Sequence, residues 1–328
     1  MDFFEIPVFI HHAIRLHPSH FIVFISHIRA IRRIYLTIKL INMWPDLKLK
    51  YGHGENYPLP FAFIRTALFS SMRYRGRERP EYAKKTEVAS YGRSTVAQVS
   101  GEQLDGNDLD VIAACIRLVY DAGSLEQSVV TVRFNEKEFL RKMGWQTGGA
   151  QRNALAQSLH RMQTAVFEFD VVDVDDRDGA CRQGGLILDF MKGLDGNRVS
   201  YAVTLNGCIA SLMQAGWSLV RRSQRNNLRD MPLAQSLHAF YSTHSAPIPL
   251  PESKLRPLML RGRIRDDKWL RSLRVAMAKL QTATDWECSL SDTGVVTVKK
   301  PKQPAEAVQK AKGRPEAATV QYEYDDDI

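Results

Sequence analysis

The chain has 328 residues, 44% hydrophobic and 25% charged, with 45 Lys and Arg against 36 Asp and Glu, a formal net charge of +9. These globular values exclude wholesale disorder and collagen-like structure, and the length suits two domains, or one large one, with a core that needs no staples. The basic balance points to a polyanionic partner, most often nucleic acid.

Four cysteines, Cys115, Cys181, Cys208 and Cys288, stand far apart with no CxxC pair. That argues against a zinc finger or a disulfide scaffold and fits a reducing cytoplasm, with the cysteines as small buried apolar residues.

Residues 1–44 are apolar and basic, with five histidines. The stretch from His20 to Ile41 resembles a membrane span but carries Arg29, Arg32, Arg33 and Lys39. Each central arginine costs about 2.5–3.5 kcal/mol on insertion scales, so a transmembrane helix is not expected. No small-residue cleavage site follows a clean apolar run, which argues against a signal peptide. The segment reads as a basic amphipathic helix on a membrane surface or partner, as a helix packed on the body, or as sequence upstream of a natural start near Met43. Residues 45–60, rich in Gly, Pro and Tyr, read as a linker.

Phe61–Met72 is an apolar run, followed by Arg73, Arg75, Arg77 and Arg79 at every second position. In an extended chain all four would point to one side, as a solvated basic loop or a clamp on a nucleic-acid backbone. The first clear helix is expected from about Asp108 to Ala122, with apolar residues at helical spacing, Asn107 as N-cap and Gly123 as the stop. Val129–Phe134 reads as a strand. Asn135 caps a second helix with Glu136 and Glu138 in its first turn, which Gly144 ends. A third helix runs from the turn Trp145–Gly149 to Gln163, with a core stripe of Leu155, Leu159 and Met162. Phe167, Phe169 and Val171 alternate as a strand, Asp173–Gly185 is a polar hairpin loop, and Leu186–Phe190 and Val199–Thr204 complete a small sheet. This is the order of a winged helix-turn-helix, whose second helix normally enters the DNA major groove.

A shift of 118 residues brings Leu140, Gly144, Leu155, Leu159, Met162 and Gln163-Thr164-Ala165 onto Leu258, Gly262, Leu273, Met277, Leu280 and Gln281-Thr282-Ala283. Both copies then run into a strand, Phe167 and Phe169 in one, Trp286 and Cys288 in the other. Asp292-Thr293-Gly294 is a turn and Val295–Val298 the returning strand, a candidate wing ending in Lys299 and Lys300. Helices at Asn206–Ala215 and about Asn227–Thr243 lie between the copies. The expected fold is α+β, with two tandem winged-helix domains at 61–204 and 205–300, an N-terminal segment and linker at 1–60, and a disordered tail at 301–328.

From Lys254 to Lys279, nine basic side chains face two acidic ones, a net of +7 on one helix-turn-helix. Trp269, Leu270, Leu273, Met277 and Leu280 form its core stripe, so Lys268, Arg271, Arg274 and Val275 fall on other faces. Arg271 and Arg274 are candidates for guanine edges, at about 1–3 kcal/mol per bidentate contact. Arg261, Arg263 and Arg265 lie in the turn and are candidates for phosphates, which fix register without reading sequence. In the first copy the outward residues are Asn153, Gln157 and His160, flanked by Arg152 and Arg161; Asn and Gln suit adenine.

Four stretches taken in order resemble the TrfA family of plasmid replication initiators. They are Phe63-Ile-Arg-Thr-Ala-Leu-Phe69 with the arginine run, Ser100-Gly-Glu-Gln-Leu-Asp105 with Asp108-Leu-Asp-Val111, Phe134-Asn135 with Phe139-Leu-Arg-Lys-Met-Gly144, and Arg261-Gly-Arg-Ile-Arg-Asp266. The resemblance spans residues 57–300. It implies tandem winged helices, binding to direct repeats (iterons) at a plasmid origin, duplex opening, and recruitment of host replication proteins such as the host initiator and replicative helicase. It also implies self-association between monomer and dimer, with monomers as the origin-binding form. Two features depart from the family: Gln103-Leu104-Asp105 runs into Gly106 and Asn107 rather than a clamp-binding motif, and residues 1–44 match no part of it.

No GxxxxGK[ST] loop is present, and His11-His12 and His17-Pro-Ser-His20 lack the spacing of a rolling-circle nuclease. Asp173, Asp175, Asp176 and Asp178 read as a solvated hairpin tip more readily than as a metal site. The chain reads as cytoplasmic and non-enzymatic, with no cofactor and double-stranded DNA as its partner. Rival readings are a winged-helix transcriptional regulator without origin melting and a membrane-surface adaptor.

Overall fold

The computed structural model describes residues 44, 56–74, 78–92, 95–171 and 180–301. The readings of the N-terminal segment, the acidic run Asp173–Asp178, Arg75, Arg77 and the tail lie outside the described residues. The fold is mixed α/β, with nine helices and several small sheets among those residues.

Strand β1 (Asn56–Pro60), read from sequence as the end of a linker, buries Tyr57 and Leu59. It pairs antiparallel with Trp217–Arg221, from Asn56 opposite Arg221 to Pro60 opposite Trp217. A short helix α1 (Phe61–Ile64) follows, then β2 (Phe69–Ser70), β3 (Glu81–Tyr82), β4 (Thr86–Val88), β5 (Thr95–Glu102) and β6 (Leu104–Asp105).

Helix α2 (Gly106–Asp121) begins two residues earlier than its apolar periodicity suggests. Its N-cap is Asp105 rather than Asn107: the Asp105 carboxylate accepts from the Asn107 N–H at 2.8 Å, and Asp108 accepts from the Asp105 N–H at 2.9 Å. That reciprocal box satisfies donors that a helix start leaves open. After α2 come β7 (Val130–Asn135), α3 (Glu136–Lys142), capped by Asn135 as expected, and α4 (Gly149–Thr164). Gly123 and Gly144 follow α2 and α3 with φ of +66° and +71°, the left-handed turn that glycine adopts without strain.

The sequence next departs from the simple order. β8 (Val166–Val171) and β9 (Ala180–Gly184) form a hairpin, but β8 pairs with β5, in a sheet that β3 and β4 extend. Phe167 and Phe169 therefore do not belong to the sheet that holds β7. That sheet is made by β10 (Ile187–Asp195) and β11 (Arg198–Leu205), in the order β10-β11-β7. Alternation marks a half-buried strand without saying which sheet it joins.

Helix α5 (Cys208–Ala215) and β12 (Trp217–Arg221) return to β1, and Ile209, Leu212, Met213 and Val220 join the first hydrophobic cluster. The helix expected at about 227–243 is α7 (Pro232–Ser242), which starts five residues later because Pro232 takes the first turn, and an unexpected short helix α6 (Arg222–Asn227) precedes it. The chain then forms β13 (Leu250–Pro251), α8 (Glu252–Leu258), α9 (Asp266–Ala283), β14 (Glu287–Leu290) and β15 (Val295–Lys299). The last sheet is ordered β13-β15-β14. Helix, strand, two helices and hairpin thus occur twice, from α7 to β15 without interruption and from α2 to β11 with β8–β9 inserted before the hairpin, and the hairpin's second strand is central both times. A second cluster around Leu237, Tyr241, Trp269, Leu273, Met277, Leu280, Val296 and Val298 fills the latter unit.

Candidate nucleic-acid interface

Helix α9 is amphipathic: Trp269, Leu273, Ala276, Met277 and Leu280 are buried, while Lys268, Arg271, Arg274 and Val275 are exposed. Leu270 is only half-buried. Lys268, Arg271 and Arg274 make no ion pair among the described residues. Asp266 and Asp267 sit in the first turn, where the positive end of the helix favours them. Each already has a partner: Arg256 reaches Asp266 at 2.6 Å and Arg265 reaches Asp267 at 2.8 Å. The hydrogen bond from Arg265 holds the Asp267 carboxyl below its ordinary range.

The turn arginines differ in what they meet. Arg263 is exposed, whereas Arg261 donates to the Ser71 hydroxyl at 2.9 Å and the Ser71 carbonyl at 2.6 Å. Arg261 therefore fastens the second unit to the segment after β2. The β14–β15 hairpin turns at Ser291–Gly294, so Lys299 and Lys300 lie at its base, not its tip. Lys299 is exposed, 3.7 Å from Glu287. Lys300 is half-buried and donates to the His244 carbonyl at 2.6 Å.

In the first unit Asn153, Gln157 and His160 are exposed along α4, one or two turns apart on one side. Arg152 stands 4.0 Å from Glu136. Arg161 turns inward and donates to Asp108 at 2.8 Å and to the Ser158 hydroxyl at 3.2 Å. Asp108 is fully buried, and its carboxyl is pushed up by desolvation and by Asp105, against the pull of Arg161. Arg79 enters the same network, 2.8 Å from Asp105 and 3.6 Å from Asp108, with its guanidinium over the Tyr74 ring. Residues 73, 74 and 78–80 carry no regular structure. Arg79 thus belongs to the interior network rather than to a row on one side of a strand.

A cleft of about 970 Å³ runs between the units, lined by Arg73, Gln151, Gln157, Arg161, Asn226 and Lys279 among others. It brings the Gln157 side of α4 together with Lys279 of α9. Sequence reasoning missed Gln146, Gln151 and Asn227 on this cleft, because isolated amides carry no periodic or charge signal. Among the described residues there is no group of three or more His, Cys, Asp or Glu placed to hold a metal ion. No helix among them is long and apolar enough to cross a membrane.

No family model matches the chain, and no curated protein matches it. Among solved structures it is similar to the crystal structure of selenomethionine derivatives of domains 2 and 3 of RctB. That likeness has 13% identity and a TM-score of 0.49, over 71% of this chain and 95% of the other. A second crystal structure of RctB domains 2–3 gives 13% identity and a TM-score of 0.44, over 68% and 91%.

Proposed function

We propose that this chain is a DNA-binding initiator of plasmid replication built on two tandem winged helices. It binds direct repeats at an origin, promotes opening of the duplex and recruits host replication proteins, and it has no catalytic chemistry of its own. The observation that carries the reading is the free basic row Lys268, Arg271 and Arg274 on α9. α9 holds the position of the groove-reading helix in a helix–strand–helix–helix–hairpin unit. The occurrence of that unit twice, with the same strand order, supports binding across successive turns of duplex. Asn153, Gln157 and His160 on α4 supply the second reading surface. The initiator role follows the sequence resemblance to the TrfA family, and with it go monomer–dimer self-association and a cytoplasmic setting.

The test is fluorescence anisotropy with duplex carrying the plasmid's own repeats against scrambled duplex, across a salt series. Selective binding with a steep log–log salt slope is expected, followed by permanganate reactivity of thymines next to the repeats. Equal, weak binding to both duplexes would remove the repeat-binding assignment. Selective binding without permanganate reactivity would leave a regulator of the same DNA.

A further inference from the structure

A second group of cations lies apart from α9. A cleft of about 860 Å³ opens where β12 and the loop after α7 meet the end of β15, and Arg221, Gln224, Ser245, Lys299 and Lys300 line it. Asp285 is the one carboxylate among its described lining residues.

Lys300 is the constrained member. Its ammonium lies 4.6 Å from the centroid of the Trp286 ring, and its bond to the His244 carbonyl uses one of three N–H donors. Burial and the neighbouring Arg221 hold it down to about 8. Arg221 is exposed and makes no ion pair among the described residues.

The positive field reaches deeper. His238, fully buried, is held down to about 3 by burial and then by Arg225, Lys300 and Arg221. Of the surrounding cations, Arg225 is neutralised by Asp110 and Lys299 stands near Glu287. No carboxylate of the described residues pairs with Arg221 or Lys300. Arg221 and Lys300 face one cleft without a paired counter-charge, and an anion shared between them would remove their mutual repulsion.

A phosphate group fits the donors present. A guanidinium offers a planar fork and an ammonium a compact point charge, the two groups that hold phosphate oxygens best. Gln224, whose side-chain oxygen lies 3.1 Å from His238 Nε2, keeps its amide nitrogen as a further donor, and Ser245 adds a hydroxyl. Trp286 is buried, with the Lys300 ammonium over its ring and His238 stacked on it at 5.4 Å, so it offers no open platform for a nucleobase.

We propose that this cleft is a phosphate-binding site in which Arg221 and Lys300 hold one phosphate group between them, carried by a free phosphate or by the backbone of DNA. The free-phosphate case is independent of the proposed function, and the DNA case deepens it.

The experiment uses the full chain in two arms. In the first, the thermal midpoint is followed in inorganic phosphate and in chloride at matched ionic strength, since a ligand of the folded state raises it. A rise in phosphate beyond that in chloride is expected. Arg221→Gln and Lys300→Gln should abolish it, and Lys142→Gln, a change at an exposed position at the end of α3, should leave it intact. In the second arm, duplex affinity is measured across salt for the wild type and for Arg221→Gln, which alters an exposed side chain and should keep the fold. A log–log slope reduced by about 0.9 in the variant assigns the phosphate to DNA. An unchanged slope with the phosphate-specific rise lost assigns it to free phosphate. Equal midpoints in phosphate and chloride, together with an unchanged slope, would overturn the site. Loss of repeat selectivity in the wild type would count against the initiator reading, while the first arm still decides the phosphate site.

Discussion

Arg225 of α6 donates from Nε to the carboxylate of Asp110 on α2, a pair whose side chains are only 1% and 6% exposed. The same guanidinium donates to the Gly106 carbonyl at 3.0 Å and the Gln235 carbonyl at 3.3 Å, so one side chain joins α2, α6 and α7. Removing either charge strands the other in a dry interior, which typically costs about 3–5 kcal/mol. Arg225→Ala and Asp110→Asn should each lower the unfolding free energy in urea by about that amount. The double variant Arg225→Ala with Asp110→Asn should lose less than the two singles together; strict additivity would show that the charges do not act as a pair.

Acid should weaken the second unit through its histidines. His238 is held down to about 3 and His244 to about 4, in both cases first by burial. The unfolded chain takes up these protons near 6.5, whereas the folded chain refuses them. Stability is therefore full above 6.5 and falls as the pH drops toward 4 and then 3. The slope is at most about 1.4 kcal/mol per pH unit for buried His238, and less for half-buried His244. Urea unfolding at pH 7, 6 and 5 measures this slope, and His238→Gln should flatten it; an unchanged slope would mean that His238 titrates normally.

Exposed residues of α9 should separate by role. Arg271→Ala and Arg274→Ala should each cost about 1–3 kcal/mol on the preferred duplex and little on scrambled duplex. Lys268→Ala should weaken both duplexes alike and lower the salt slope by about 0.9. All three should leave the urea midpoint within error, since none of the side chains is buried. Anisotropy against a panel of single-base changes in the repeat provides the check.

Arg261 and Arg263 are two residues apart and should behave oppositely. Arg261→Ala removes two bonds to Ser71 and should destabilise the fold by about 1–3 kcal/mol. Arg263→Ala should leave stability unchanged and reduce the salt slope of DNA binding. Urea midpoints and salt series on both variants decide the matter, and an Arg261 variant with full stability would break the assignment.

The legible parts of the fold were those written locally. Asn135 caps α3, Gly123 and Gly144 close their helices, and the stripe Leu155, Leu159 and Met162 turns inward, because each signal lies within a few residues. The α9 basic row was legible for the same reason. Long-range partners were not. Arg161 and Arg79 look like surface cations in sequence, yet they serve Asp108 and Asp105, 53 and 26 positions away. The β8–β9 hairpin was misplaced because its alternation fits either sheet. Arg221 carried no sequence signal, since a single arginine next to another reads as ordinary surface.

The pairing of β1 with β12 bears on how the chain is made. The first described strand meets its partner only when Trp217–Arg221 has left the ribosome, so the core around Leu59 and Val220 closes late during synthesis. Until then Tyr57 and Leu59 present an unsatisfied strand edge, and translation pauses before residue 221 would prolong that exposure.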